Sequence, residues 1–167
     1  LDSHQVGELL IGAPYQNTFC ITFYGKEAHA GVEPEKGLNA IRLAAEAIVA
    51  MPNGRIDFET TCNLGAIYSG SPTNIVPKEV VVKGEARSHK KAKLDEVCSN
   101  IKQAVISTVK RYNDQTGNAS YKFELEQEYE AFFIPRNAQV VSLAENALRA
   151  LDIPSNIKIG GGGSDAN

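Results

Sequence analysis

Gly25-Lys26-Glu27-Ala28-His29-Ala30-Gly31 separates an alternating apolar run, Phe19 to Tyr24, from a helical one, Glu35 to Met51. Upstream, Phe19, Ile21 and Phe23 interleave with Cys20, Thr22 and Tyr24, the two-residue period of a half-buried strand. Downstream, Pro34 suits a first helical turn. Leu38, Ile41, Ala45 and Ile48 then recur at helical spacing, and Ala44 and Val49 widen that face. Pro52-Asn53-Gly54 stops the helix. The stretch is therefore a strand-to-helix loop with one histidine at its tip. Its glycines are expected to supply backbone angles closed to other residues, and the alanines beside His29 leave room for another molecule. From the loop alone, His29 fits equally well as a surface histidine on a tight turn.

Working outward, Thr60 to Tyr68 reads as a second strand and Ser69-Gly70-Ser71-Pro72 as a turn. A third strand, Glu79 to Arg87, puts Val80, Val82, Gly84 and Ala86 on one face and Val81, Lys83, Glu85 and Arg87 on the other. The apolar face should meet the helices, so Arg87 should point away from them. Ser88 is predicted to cap a second helix, carried by Leu94, Val97, Cys98, Ile101, Val105, Thr108, Val109 and Tyr112 and ended by Gly117-Asn118. Tyr121, Phe123 and Leu125 alternate again as a fourth strand. The order β-α-β-β-α-β predicts an α+β, ferredoxin-like fold: a four-stranded antiparallel sheet with two helices on one face. The other face is left bare, and an edge strand is open to a further domain or subunit. Beyond Pro135, a third helix, Asn137 to Leu151, and a short strand, Asn156 to Ile159, lead into Gly160-Gly161-Gly162-Gly163-Ser164-Asp165-Ala166-Asn167.

The 167 residues carry a net charge of −3, with 43% hydrophobic and 22% charged side chains, the balance of a soluble globular protein. No basic block suggests nucleic acid, and no apolar run is long enough to span a bilayer. Leu1-Asp2-Ser3-His4 has neither region of a signal peptide and no starting Met, so a piece of a longer chain is expected. Cys20, Cys62 and Cys98 are odd in number and far apart, which suits free thiols in a reducing cytoplasm.

Three motifs stand in a fixed order: Gly25-Lys26-Glu27-Ala28-His29-Ala30-Gly31, then Ser71-Pro72-Thr73-Asn74-Ile75-Val76-Pro77, then Gly84-Glu85-Ala86-Arg87-Ser88. With the Gly-Gly-Ser164-Asp165-Ala166-Asn167 tail they resemble the lid (dimerisation) domain of di-zinc exopeptidases of the peptidase T and carboxypeptidase G type. The nearest likeness is to the peptidase T-like, tripeptide aminopeptidase branch. Asp2-Ser3-His4-Gln5-Val6-Gly7 resembles that family's Asp-Gly-x-x-Val-Gly segment, with Ser3 where Gly is usual, and its aspartate is a zinc ligand there. Glu27 and Ala28 are not diagnostic.

The resemblance implies that residues 1–14 and 132–167 are catalytic-domain flanks and that 15–131 form the lid. It implies a parent enzyme that hydrolyses short peptides with two zinc ions, Asp2 supplying one ligand and the remaining ligands and general base lying outside this chain. The fragment alone is then expected to be inactive and to bind no zinc. By the same resemblance His29 would stabilise the oxyanion, often in the active site of a partner subunit. Asn74 and Arg87 would hold a substrate carboxylate, and Gly162, Gly163, Ser164 and Asp165 would line the cleft. The implied partners are a short peptide, the chain's own catalytic domain and a second copy of the lid, in the cytoplasm, with neither nucleic acid nor membrane.

Without the resemblance the same residues allow other roles. Arg87 fits a solvated charge, Asn74 a turn residue, Asp2 a frayed terminus and Gly160 to Ser164 a flexible spacer. The chain would then be a free-standing ferredoxin-like module that binds a ligand or partner without catalysis. His4 and His89 match no ligand spacing.

Overall fold

The alternation of Phe19, Ile21 and Phe23 is carried by a strand longer than the apolar run, β1 (Tyr15–Tyr24), with those three side chains fully inside. The computed structural model describes residues 5–167, so Asp2 lies outside the described residues. After β1 come α1 (Ala40–Ala50), β2 (Thr60–Tyr68), β3 (Glu79–Ser88), α2 (Lys91–Thr116) and β4 (Ser120–Tyr129). This is the α+β class and the β-α-β-β-α-β succession expected. The sheet is antiparallel throughout, in the order Gly54–Arg55, β2, β3, β1, β4. It thus has five strands where four were expected. Gly54, at φ +78°, reverses the chain after α1, and Gly54–Arg55 pairs with Thr61 and Cys62.

α1 and α2 cover one face. Ile21, Phe23, Val80, Val82 and Ala86 from the sheet close a single core with Leu43, Leu94, Ile101 and Val105 from the helices. The alternation in β3 holds: Val80, Val82 and Ala86 are buried, while Lys83, Glu85 and Arg87 lie on the face without helices. Gly84, half-buried, shares that face, and the Phe19 ring lies across it where a Cβ would overlap the ring.

The helices differ from expectation in three places. Helical structure over Glu35 to Leu38 is only a 3-10 turn, Pro34–Lys36, and α1 starts later, where the Asn39 side chain accepts the Arg42 N–H at 3.1 Å. The buried face of α1 is Ala40, Leu43, Ala44 and Ala47. Ile41 is 44% exposed and Val49 87% exposed, so the expected face is rotated. Alanines let the helix axis approach the sheet closely; Ile41 and Val49 are left outside, and Ile48 packs only partly against the core. Ser88 does not cap α2. It ends β3, buried, with its hydroxyl against Thr60 Oγ1 at 2.9 Å and accepting the Lys90 N–H at 3.2 Å. The C-terminus of α2 is as read, with Gly117 at φ +69°.

Outside the main sheet, Glu8–Leu10 pairs in parallel with Asn156–Lys158, and Gly12–Ala13 pairs with Phe132–Phe133. α3 (Gln139–Ala150) lies beside these strands, across a cavity lined by Leu9, Ile11, Phe132, Ile134, Val140 and Val141. Among the described residues no helix is long and apolar enough to cross a membrane.

Candidate functional site

His29 stands on a two-residue strand, Ala28–His29, that pairs antiparallel with Ile75–Val76. The Ala30 N–H donates to the Asn74 carbonyl at 2.9 Å, so the histidine loop and the Asn74 turn are tied together. The loop is held against α1's approach by a mutual bridge, Lys26 N–H to Leu38 carbonyl at 2.9 Å and Leu38 N–H to Lys26 carbonyl at 2.8 Å. Gly25 is needed here for space, since a Cβ would overlap the Leu38 carbonyl. Neither Gly25 nor Gly31 has the positive φ that the loop was expected to need. The His29 side chain is exposed. Its Nδ1 accepts the Gly31 N–H at 3.2 Å. That bond assigns the proton of the neutral ring to Nε2, which is left as an outward donor. The Asn74 side chain is exposed beside it.

Arg87 lies elsewhere. It is opposite Gln16 near the start of β1, whereas the His29 loop leaves the other end, after Tyr24. The two are separated by most of the strand, on the order of 30 Å at about 3.3 Å per residue. Arg87 closes on Glu85 through two bonds, Nε to Oε1 at 2.9 Å and Nη2 to Oε2 at 3.0 Å. The hydrogen bond to the Glu85 carboxylate raises the guanidinium above its usual value, so it is charged at any working pH. Gln16 Nε2 donates to Glu85 Oε2 at 3.1 Å, and the Tyr129 hydroxyl donates to Gln16 Oε1. Three adjacent strands therefore meet in one polar chain on the bare face.

Gly160 to Gly163 arch over that end of the sheet. With Glu8, Lys158 and Arg87 they line a cleft of about 610 Å³. Gly162 comes near enough that a Cβ there would sit 3.7 Å from Arg87 Nη1, and a Cβ on Gly163 would overlap the Tyr129 ring. The Ser164 N–H donates to Asn167 Oδ1 at 2.7 Å, and Asn167 Nδ2 donates to the Glu130 carbonyl at 2.7 Å. Ser164 and Asp165 face the apolar cavity beside α3 rather than the Arg87 cleft.

The structure thus joins His29 to Asn74, and Arg87 to Gly162 and Gly163, at opposite ends of one sheet. Glu85, Gln16, Tyr129 and Asn167 escaped the sequence reading. Glu85 left a trace there, as an acid two residues from an arginine and so on the same face of a strand, and Asn167 did so only as the last residue of the glycine-rich tail motif. Among the described residues, no three His, Cys, Asp or Glu side chains gather in a metal-ligating group. The described residues do not form a metal site by themselves.

A helix-backed antiparallel sheet with an exposed histidine at one end and a glycine-covered arginine at the other defines an α+β domain with two separate polar sites. The chain belongs to the peptidase dimerisation domain family (M20), whose description matches residues 16–113. It is 42% identical over 168 residues to the uncharacterised protein YqjE of Bacillus subtilis, covering 100% of this chain and 44% of that protein. The aminopeptidase PepT of Bacillus cereus superposes with a TM-score of 0.86 at 38% identity, covering 99% of this chain and 43% of that one. A tripeptidase of Staphylococcus aureus superposes with a TM-score of 0.87 at 36% identity, covering 98% and 42%. The chain spans less than half the length of these relatives.

Proposed function

We propose that this chain is the lid, with catalytic-domain flanks attached, of a cytoplasmic zinc-dependent exopeptidase that hydrolyses short peptides. Residues 15–131 would be the lid, and 1–14 and 132–167 the flanks. The flanks form a two-stranded parallel pair and one helix. Parallel strands are stable in larger sheets covered on both faces, which supports their belonging to a second domain. In the parent, two zinc ions held by Asp2 and by ligands outside this chain would activate a water and polarise the scissile carbonyl.

The observation that carries the reading is the outward Nε2 donor of His29, fixed by the Gly31 N–H on the other ring nitrogen. Such a donor stabilises the negative charge that grows on a carbonyl oxygen during hydrolysis. Arg87 offers a planar fork suited to a substrate carboxylate, and the exposed Asn74 amide can donate to the same group.

Within one chain these groups are too far apart to meet on a peptide. His29 and Asn74 of one copy would therefore serve the cleft that holds Arg87 of another, across a symmetric dimer. Ile41, Ala45 and Val49 make an exposed apolar stripe along α1, and Ile67 and Tyr68 are exposed on the nearby sheet edge, which supports pairing there. In the full-length parent, His29→Ala should lower kcat by about 10²–10³-fold with the melting temperature unchanged. Unchanged turnover would overturn the assignment.

A further inference from the structure

We propose that Glu85 is a positioning residue that fixes Arg87 for substrate, using one edge of the guanidinium so that the other is presented to the cleft. The inference rests on the reading that Arg87 takes a substrate carboxylate. A guanidinium has two edges able to grip a carboxylate, a side edge through Nε and an end edge through the terminal nitrogens. Glu85 occupies the side edge with two bonds. The end edge, with Nη1, is turned toward Gly162, where the missing side chain leaves the approach open.

Glu85 is itself braced. Its Oε2 takes the Gln16 amide from β1, and Gln16 takes the Tyr129 hydroxyl from β4. The pair is largely covered, with Arg87 25% and Glu85 32% exposed, so it escapes most of the screening that makes surface pairs weak. Arginine loses considerable rotamer freedom on binding a ligand, and a fork held beforehand has less to lose. Glu85 also cancels the charge of Arg87. Recognition at the cleft then rests on two directed N–H bonds more than on net attraction, and a carboxylate is preferred to an amide through donor geometry.

The test compares trialanine with trialanine amide as substrates of the full-length parent. Arg87→Ala should abolish the preference for the free acid. Glu85→Gln and Glu85→Asp should each weaken it by about three- to tenfold, through KM and not kcat, because Asp keeps the charge but not the reach. The double variant Glu85→Gln/Arg87→Ala should be no worse than Arg87→Ala alone. Tyr129→Phe removes only the outermost hydroxyl, is the safer variant for folding, and should move KM in the same direction by a smaller factor. If Arg87→Ala abolishes the preference while the Glu85 variants and Tyr129→Phe keep it, the positioning role is overturned and the carboxylate reading stands. A preference kept by Glu85→Asp but lost by Glu85→Gln would mean charge, not geometry, and would also overturn it. If Arg87→Ala leaves the preference intact, the carboxylate reading fails and takes the inference with it.

Discussion

Single side chains here do their work through partners that are distant in the chain. Asp57, in the turn before β2, accepts Lys93 Nζ at 2.7 Å and the Glu59 N–H at 2.9 Å. The Lys93 bond comes first among the causes that pull its carboxyl from 3.8 to about 2. A carboxyl whose pKa is lower folded than unfolded binds protons more readily in the unfolded chain. Its stabilising contribution is thus complete above about pH 4 and is lost as pH falls toward about 2. Comparing urea midpoints of the native protein and Asp57→Asn should give a gap that is steady from pH 7 to pH 5 and closes below pH 4. A gap independent of pH would remove the Lys93 pair from the account. The buried thiols Cys62 and Cys98 shift the opposite way. Burial pushes Cys62 up to about 11, so it stays a protonated core residue at neutral pH, as expected from its spacing.

The elements show where periodicity is ambiguous. α1 carries two apolar stripes, one of alanines and Leu43, the other of Ile41, Ala45, Ile48 and Val49. The larger side chains favour the second as the core face, yet the helix sits on the first. The sheet offers Phe19, Phe23 and Val80 as bulky neighbours, and small residues on the helix fill the remaining space without overpacking. Leu43→Ala, at a fully buried position, should therefore cost about 2–5 kcal/mol in a urea melt of the chain. Val49→Ala, 87% exposed in a single chain, should cost less than about 0.5 kcal/mol at concentrations where the chain is monomeric. Equal costs would mean that α1 is turned the other way. The loop from β1 to α1 obeys a related constraint. Its glycine at 25 serves the close crossing of Leu38, and the rigid crossing is what holds His29 outward.

In the whole molecule, one sheet keeps two sets of groups apart. β1 runs from the Arg87 end to the His29 end, and nothing in a folded monomer can bring these together without breaking the sheet. If both serve one peptide, each site draws on two chains. Full-length His29→Ala and Arg87→Ala variants, each impaired alone on a free-acid tripeptide, should then regain part of the activity when mixed and allowed to exchange subunits. No recovery in a mixture shown to contain mixed dimers would sink the shared-site arrangement. Membership of the peptidase dimerisation family agrees with a paired assembly, and the exposed stripe on α1 with the open edge of β2 offers apolar surface for it.

Local order was legible in the chain. The β-α-β-β-α-β succession, the strand limits at Thr60 to Tyr68, the outward face of Arg87 and the stop at Gly117 all follow from periods and backbone preferences spanning a few residues. So were His29 and Asn74 as exposed loop residues and Arg87 as a charge off the core, because alternation tells which face a side chain takes. Folding in three dimensions decided which stripe of α1 is buried, why Ser88 meets Thr60 instead of capping a helix, and how Arg87, Glu85, Gln16 and Tyr129 come to share one network. Those choices depend on register between strands far apart in the chain and on the volumes of facing side chains, neither of which any local pattern encodes.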